Sequence, residues 1–178
     1  MALPPIVCIV GPSDSGKTTL IEKLIPELIR MGLRVGTVKH GSHGSEIDRP
    51  GKDSWRHIQA GSTTTILSSP MHIGLVKKVD HDHTLDELLP LFSNTDIVLA
   101  EGYKKDNKPK IAVFRSDLGE NPLDLNDSNL LAYVSDTKIE AKVPVIKKED
   151  ITALAGFLID YFNLSANPQR QAQAETMS

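Results

Sequence analysis

A three-layer α/β fold, with helices on both sides of a mostly parallel sheet, is predicted by three features of this 178-residue chain. An unbroken apolar run at residues 6–10 passes through a glycine-bounded turn into a helical repeat of leucine and isoleucine. A second strand, at residues 34–39, follows the end of that helix after a very short turn, which makes a strand–helix–strand unit with parallel strands. A third apolar run, at residues 97–100, carries a carboxylate at each end and reads as a buried strand of the same sheet.

The turn after the first run is Gly11-Pro12-Ser13-Asp14-Ser15-Gly16-Lys17-Thr18. Two glycines with four residues between them, then Lys and Thr, fit the phosphate-binding loop. Glycines at those positions let the backbone wrap a polyphosphate with its N–H groups inward, and the next helix offers its positive end to the same anion. Its strand–loop–helix setting is the one the motif requires, so the predicted fold is that of the P-loop NTPases. In that arrangement Gly11, Ser13, Ser15, Gly16, Lys17, Thr18 and Thr19 surround the phosphates. Lys17 reaches the β- and γ-phosphates, and the Thr18 hydroxyl holds Mg²⁺.

The first helix carries Leu20, Ile21, Leu24, Ile25, Leu28 and Ile29 at helical spacing, with Pro26 inside it and Gly32 as its left-handed cap. Residues 39–54 are rich in glycine, histidine and charge, and lack an apolar period. They begin where a parallel strand ends, the edge at which open α/β sheets bind ligands. Asp53 or Ser54 is expected to cap a short helix through Trp55, Ile58 and Ala60, closed by Gly61. Residues 63–67 and 73–76 predict a β-hairpin insertion around Pro70. His81-Asp82-His83 reads as a solvated turn, with metal binding the lesser alternative because the sequence shows no third ligand nearby. Thr84-Leu85-Asp86-Glu87 reads as a capping box opening a helix through Leu88, Leu89 and Phe92.

Of the carboxylates that flank residues 97–100, Glu101 lies at the C-terminal end and belongs beside the metal and its water. Asp96 lies at the other end, roughly 16 Å away at strand rise, and reads as structural. Further strands are predicted at 111–114, 130–134 and 143–146, and an amphipathic final helix at 150–163. The nucleotide-binding domain is expected to span residues 1–164. The Gln-, Ala- and Asn-rich residues 165–178 are expected to form a disordered tail.

A net charge of −3 argues against nonspecific nucleic-acid binding. Cys8, the single cysteine, sits inside the first strand and reads as a small buried hydrophobe. The apolar start runs straight into the phosphate loop and no run approaches the roughly 20 residues of a membrane span, so a cytoplasmic protein is expected.

Several stretches together resemble the molybdopterin-guanine dinucleotide biosynthesis protein B family. They are the phosphate loop, Lys39-His40 with His43, and Asp48 followed by Pro50-Gly51-Lys52-Asp53-Ser54. Ala60-Gly61, Glu101-Gly102-Tyr103-Lys104, Lys110-Ile111 with Phe114-Arg115, and Ala132 through Ser135-Asp136 complete the set. The resemblance implies a homodimeric GTP-binding protein with weak Mg²⁺-dependent hydrolysis. It implies further that the protein assists a guanylyltransferase in attaching GMP to molybdopterin cofactor. Tyr103 and Ser62 stand where Phe and Ala are more usual in that family.

Under that resemblance Asp136, at a later strand end, is the candidate carboxylate for the guanine base. Asp48 is the candidate second carboxylate near the metal, with a solvated loop charge as its alternative. Glu101 orients the attacking water, deprotonates it, or holds the metal through water. Lys39, His40, His43, Lys52 and Lys104 bracket the same edge and suit an anionic second ligand such as a molybdopterin phosphate. The rival reading is a small-molecule kinase using ATP. Such an enzyme needs an arginine-rich lid, and the six arginines of this chain are scattered. A third reading is a scaffold whose nucleotide serves only to hold a dimer together.

Overall fold

A computed structural model describes residues 3–41, 48–116, 127–165 and 167. The predicted tail therefore lies outside the described residues, apart from Ser165 and Asn167, and so does His43. The chain forms two compact units, Met1–His40 with Leu85–Ser178, and Gly41–Thr84.

The first unit is built on a six-stranded sheet whose pairings are all parallel. Its strands are β1 (Ile6–Val10), β2 (Val35–Lys39), β5 (Ile97–Glu101), β6 (Lys110–Phe114), β7 (Leu130–Ser135) and β8 (Val145–Lys147). Their order across the sheet is β2-β5-β1-β6-β7-β8. β1 and β2 are thus parallel, as the short connection predicts, but β5 lies between them. The burial patterns explain the order. In β5 residues 97–100 are all buried and need neighbours on both edges, whereas Val-Gly-Thr-Val-Lys in β2 is partly exposed and suits an edge.

Alternate residues of the central strands supply the two cores. Val7, Ile9, Ile97, Leu99, Ile111, Val113, Ala132 and Val134 face helices α1 (Lys17–Arg30) and α4 (Ile151–Phe162). Ile6, Cys8, Val10, Val98, Ala100, Ala112 and Tyr133 pack with Leu85 and Leu89 on the other side. That makes the three layers. Leu24, Leu28, Leu154 and Leu158 are at most 1% exposed, and each contributes about 1.5–3 kcal/mol by leaving water.

Helix α1 runs through Pro26 and ends in a left-handed Gly32, where the Leu33 N–H donates to the Leu28 carbonyl at 3.1 Å. α4 begins at Asp150, whose carboxylate accepts from the Ala153 N–H at 3.0 Å. The helix predicted from residue 84 to Phe92 is shorter than its apolar spacing suggests. α3 covers Leu85–Leu88, and Leu89–Leu91 tightens into a 3₁₀ turn containing Pro90. Asp96 has the structural role expected of it. Its carboxylate accepts from the Arg34 N–H at 2.7 Å and from the Arg34 guanidinium, tying the starts of β2 and β5 together.

The second unit contains α2 (Asp53–Gln59) and an antiparallel hairpin of β3 (Thr64–Ser68) and β4 (Ile73–Lys77). The hairpin insertion is where the sequence predicts it. The cap of α2 is not: Lys52 takes that position without a side-chain bond, and the Ser54 hydroxyl donates to Asp48 Oδ1 at 3.0 Å. Asp48 also accepts from the Arg49 N–H at 2.8 Å, so it orders the entry to the helix. Gly61, with φ +113°, closes α2.

Candidate nucleotide site

The phosphate loop lies at the C-terminal edge of the sheet, where β1 has β5 on one side and β6 on the other. Register brings Glu101 opposite Ile9 of β1 and opposite Lys39 of β2. The loop's turn depends on Asp14 and Gly16 in left-handed conformations, φ +60° and +93°. Gly16 precedes α1 without a side-chain cap, and no acidic residue occupies the helix's first turn. The first N–H groups of α1 are therefore left for an anion. At Gly11 the need is for space: a methyl group there would lie 2.6 Å from the Val113 carbonyl oxygen and 2.8 Å from Ser15 Oγ.

Ser15 is fully buried in the loop, and its hydroxyl has no hydrogen-bond partner. A buried orphan hydroxyl costs about 1–3 kcal/mol, which a bound phosphate oxygen or its water would recover. The residues present therefore fit a phosphate. Lys17 Nζ folds back on the loop, donating to the carbonyls of Gly11 at 3.1 Å and Pro12 at 2.5 Å. Thr18 Oγ1 lies 2.9 and 3.0 Å from the two carboxylate oxygens of Glu101, and Lys39 Nζ is 3.2 Å from Glu101 Oε1. A hydroxyl and a carboxylate in contact are oxygen donors of the kind a hard divalent ion takes, once it displaces the Lys39 ammonium from Glu101.

These groups share a cleft of about 500 Å³ that Ser13, Thr19 and Arg115 also line. Arg115 Nη1 donates to the Asp14 carbonyl at 3.1 Å, so β6 sends a guanidinium onto the phosphate loop. Asp136 stands at the end of β7, where its carboxylate accepts from the Ser116 N–H at 3.3 Å, and it does not line the cleft. Asp48 belongs to the second unit. His40 and Tyr103 meet edge to face beside Glu101, with ring centres 5.0 Å apart. One cation that nothing in the local sequence singles out is Lys148, in the turn between β8 and α4. A methyl on Gly16 would stand 3.0 Å from its ammonium.

Sheet order, loop and cleft together define a protein of P-loop NTPase-like α/β fold. The family model for molybdopterin guanine dinucleotide synthesis protein B matches residues 6–136, and the chain belongs to that family. The molybdopterin-guanine dinucleotide biosynthesis adapter protein of Haemophilus influenzae is 37% identical over 161 residues, covering 89% of this chain and 90% of that one. Its Escherichia coli counterpart is 34% identical over 162 residues, covering 88% and 93%. Among solved structures, Bacillus subtilis MobB superposes with a TM-score of 0.71 at 30% identity, covering 92% of this chain and 99% of that one. A crystal structure of molybdopterin-guanine biosynthesis protein B gives 0.69 at 27% identity, covering 89% and 99%.

Proposed function

We propose that this protein is an adapter in molybdopterin-guanine dinucleotide biosynthesis that binds GTP with Mg²⁺, hydrolyses it weakly, and works in the cytoplasm beside a guanylyltransferase. The observation that carries the nucleotide reading is the contact of the Thr18 hydroxyl with Glu101 at the mouth of the phosphate loop. It supports a metal-assisted triphosphate site by placing two oxygen donors together where the loop opens. When bound, Mg²⁺ supplies charge neutralisation across the β- and γ-phosphates. Thr18 would hold it, and Glu101 would either hold it through water or act on the attacking water.

On this reading the chain's own residues would contribute as follows. Lys17 would release the Gly11 and Pro12 carbonyls and turn its ammonium to the phosphates, while backbone N–H groups and the Ser15 hydroxyl donate to the anion's oxygens. Glu101, freed from Thr18, either accepts a proton from the attacking water or orients that water through a hydrogen bond. Arg115 is held by the Asp14 carbonyl. An arginine finger is worth roughly 10³–10⁵ in rate, so a guanidinium engaged elsewhere accords with weak turnover. Asp136 is the candidate acceptor for the guanine N1 and amino group, and Lys39, His40 and Lys104 remain candidates for a molybdopterin phosphate.

Calorimetric titration with GTP and with ATP, each with and without Mg²⁺, tests this reading. GTP should bind at least about tenfold more tightly than ATP, since a site that hydrogen-bonds one base leaves buried groups unpaired with the other. Tighter ATP binding would remove the guanine assignment and favour the kinase reading. Copurification with a guanylyltransferase or with molybdopterin tests the pathway assignment.

A homodimer would find a suitable surface on the second unit. Ile66, Ile73 and Leu75 share one face of the hairpin, are 61%, 76% and 46% exposed, and adjoin the exposed Met71 at the turn. A two-stranded hairpin with an apolar face is marginal alone. A second copy of this chain suits that face because its middle, Ile66, Ile73 and Leu75, carries no charge, with Lys77 only at its end, and an isologous contact sets like residues against like. Wild-type protein should sediment at about twice 19.5 kDa, and Ile73→Glu should shift it to the monomer. Unchanged sedimentation of the variant would exclude the hairpin face from the interface.

A further inference from the structure

We propose that Lys148 is a second phosphate-binding lysine, delivered to the nucleotide from the β8–α4 turn, two strands beyond Arg115's strand in the sheet. This rests on the nucleotide reading of the cleft and extends it to a residue outside the phosphate-loop motif.

The backbone at Lys148 is fixed from both sides. Its N–H donates to the Ser135 carbonyl at 3.0 Å, which anchors the turn to the end of β7. Two residues later Asp150 caps α4. From that position the half-buried side chain extends over Gly16, the last glycine of the loop. A methyl on Gly16 would lie 3.0 Å from Nζ and 3.4 Å from Cε. Gly16 is also the residue whose left-handed backbone turns the chain into α1, so the ammonium stands over the point where the free N–H groups of α1 begin.

Its lack of partners distinguishes it from the cations that line the cleft. Lys17 bonds to two carbonyls, Lys39 to Glu101, and Arg115 to the Asp14 carbonyl. Among the described residues the Lys148 ammonium has neither a carboxylate nor a hydrogen-bond acceptor. A partly desolvated ammonium with no partner is unfavourable until an anion reaches it. The adjoining loop provides such an anion, the polyphosphate of a nucleoside di- or triphosphate. Lysine suits this task as a flexible point charge with three rotatable donors.

The test is calorimetric titration of GTP and GDP against wild type, Lys148→Ala, Lys148→Arg and Lys148→Glu in Mg²⁺ buffer at low and moderate salt. Lys148→Ala should weaken both nucleotides about tenfold, as expected for one charge-assisted hydrogen bond. Lys148→Glu should weaken them further, and Lys148→Arg should restore affinity to within about threefold of wild type, since it keeps the charge. The loss should shrink as salt rises. Thermal midpoints should not move, because the side chain holds nothing else in place. Wild-type binding with Lys148→Ala equal to it would overturn this assignment and leave the nucleotide site standing. Failure of wild type to bind either nucleotide would overturn both.

Discussion

Replacing Lys17 with alanine is expected to lower affinity for GTP about 100-fold and to bring Mg²⁺-dependent phosphate release down to background. The lysine is the one side chain of the loop with a full positive charge, and in the proposed site it would bring that charge to the β- and γ-phosphates inside a protein-lined cleft. A hydrogen bond to a charged group there is worth more than one in water. The substitution itself is mild for the fold. Lys17 is the first residue of α1, and alanine is the best helix former. The two bonds it loses, to the Gly11 and Pro12 carbonyls, belong to the loop and not to either core. Thermal unfolding should therefore stay near wild type while calorimetry and phosphate release collapse together. Wild-type affinity in the variant would mean that the loop does not grip a nucleotide. Hydrolysis that persists undiminished would point to a contaminating enzyme.

That loop was legible because its chemistry is local. Glycine spacing, the lysine, the threonine, and an apolar strand before them all lie within a dozen residues. The end of β5 was legible for a similar reason: an apolar run that stops at a carboxylate marks a strand end at the ligand edge, and Glu101 does meet Thr18. Sheet order was less accessible, because the placing of β5 between β1 and β2 depends on which strand needs two covered edges. Charged residues at strand ends also mislead a reading by composition. β6 begins at Lys110, a residue earlier than its apolar run, because a partner 17 positions away neutralises the lysine. Arg115 and Lys148 reach the phosphate loop from two separate turns, so no spacing in the sequence announces either. The cap of α2 failed for a subtler reason. Ser54 fits the cap chemistry, yet its hydroxyl is spent on Asp48, six residues back.

The largest stability effect should come from that buried lysine. Lys110 is 1% exposed, sits opposite Cys8 in the pairing of β1 with β6, and places Nζ 2.6 Å from Asp127 Oδ2. The Asp106 carbonyl also accepts from it. Cys8 supplies no countercharge, because burial, with Asp106 nearby adding to it, pushes its thiol up to about 12. Asp127→Ala therefore strands an ammonium in the core and should cost about 3–5 kcal/mol. Lys110→Met should cost far less, since a methionine fills similar space and Asp127, 23% exposed, can hydrate. Acid should erase the difference between wild type and Asp127→Ala. The Lys110 ammonium, and after it the Asn129 N–H, hold the Asp127 carboxyl below its ordinary value. A folded-state pKa below the unfolded one adds stability that is complete above the unfolded value of about 3.9 and is lost as pH falls through the folded value. Urea unfolding should show a constant gap between the two proteins from pH 7 down to about pH 5, narrowing at lower pH. A gap that stays constant into the acid range would show that Asp127 holds Lys110 through something other than its charge.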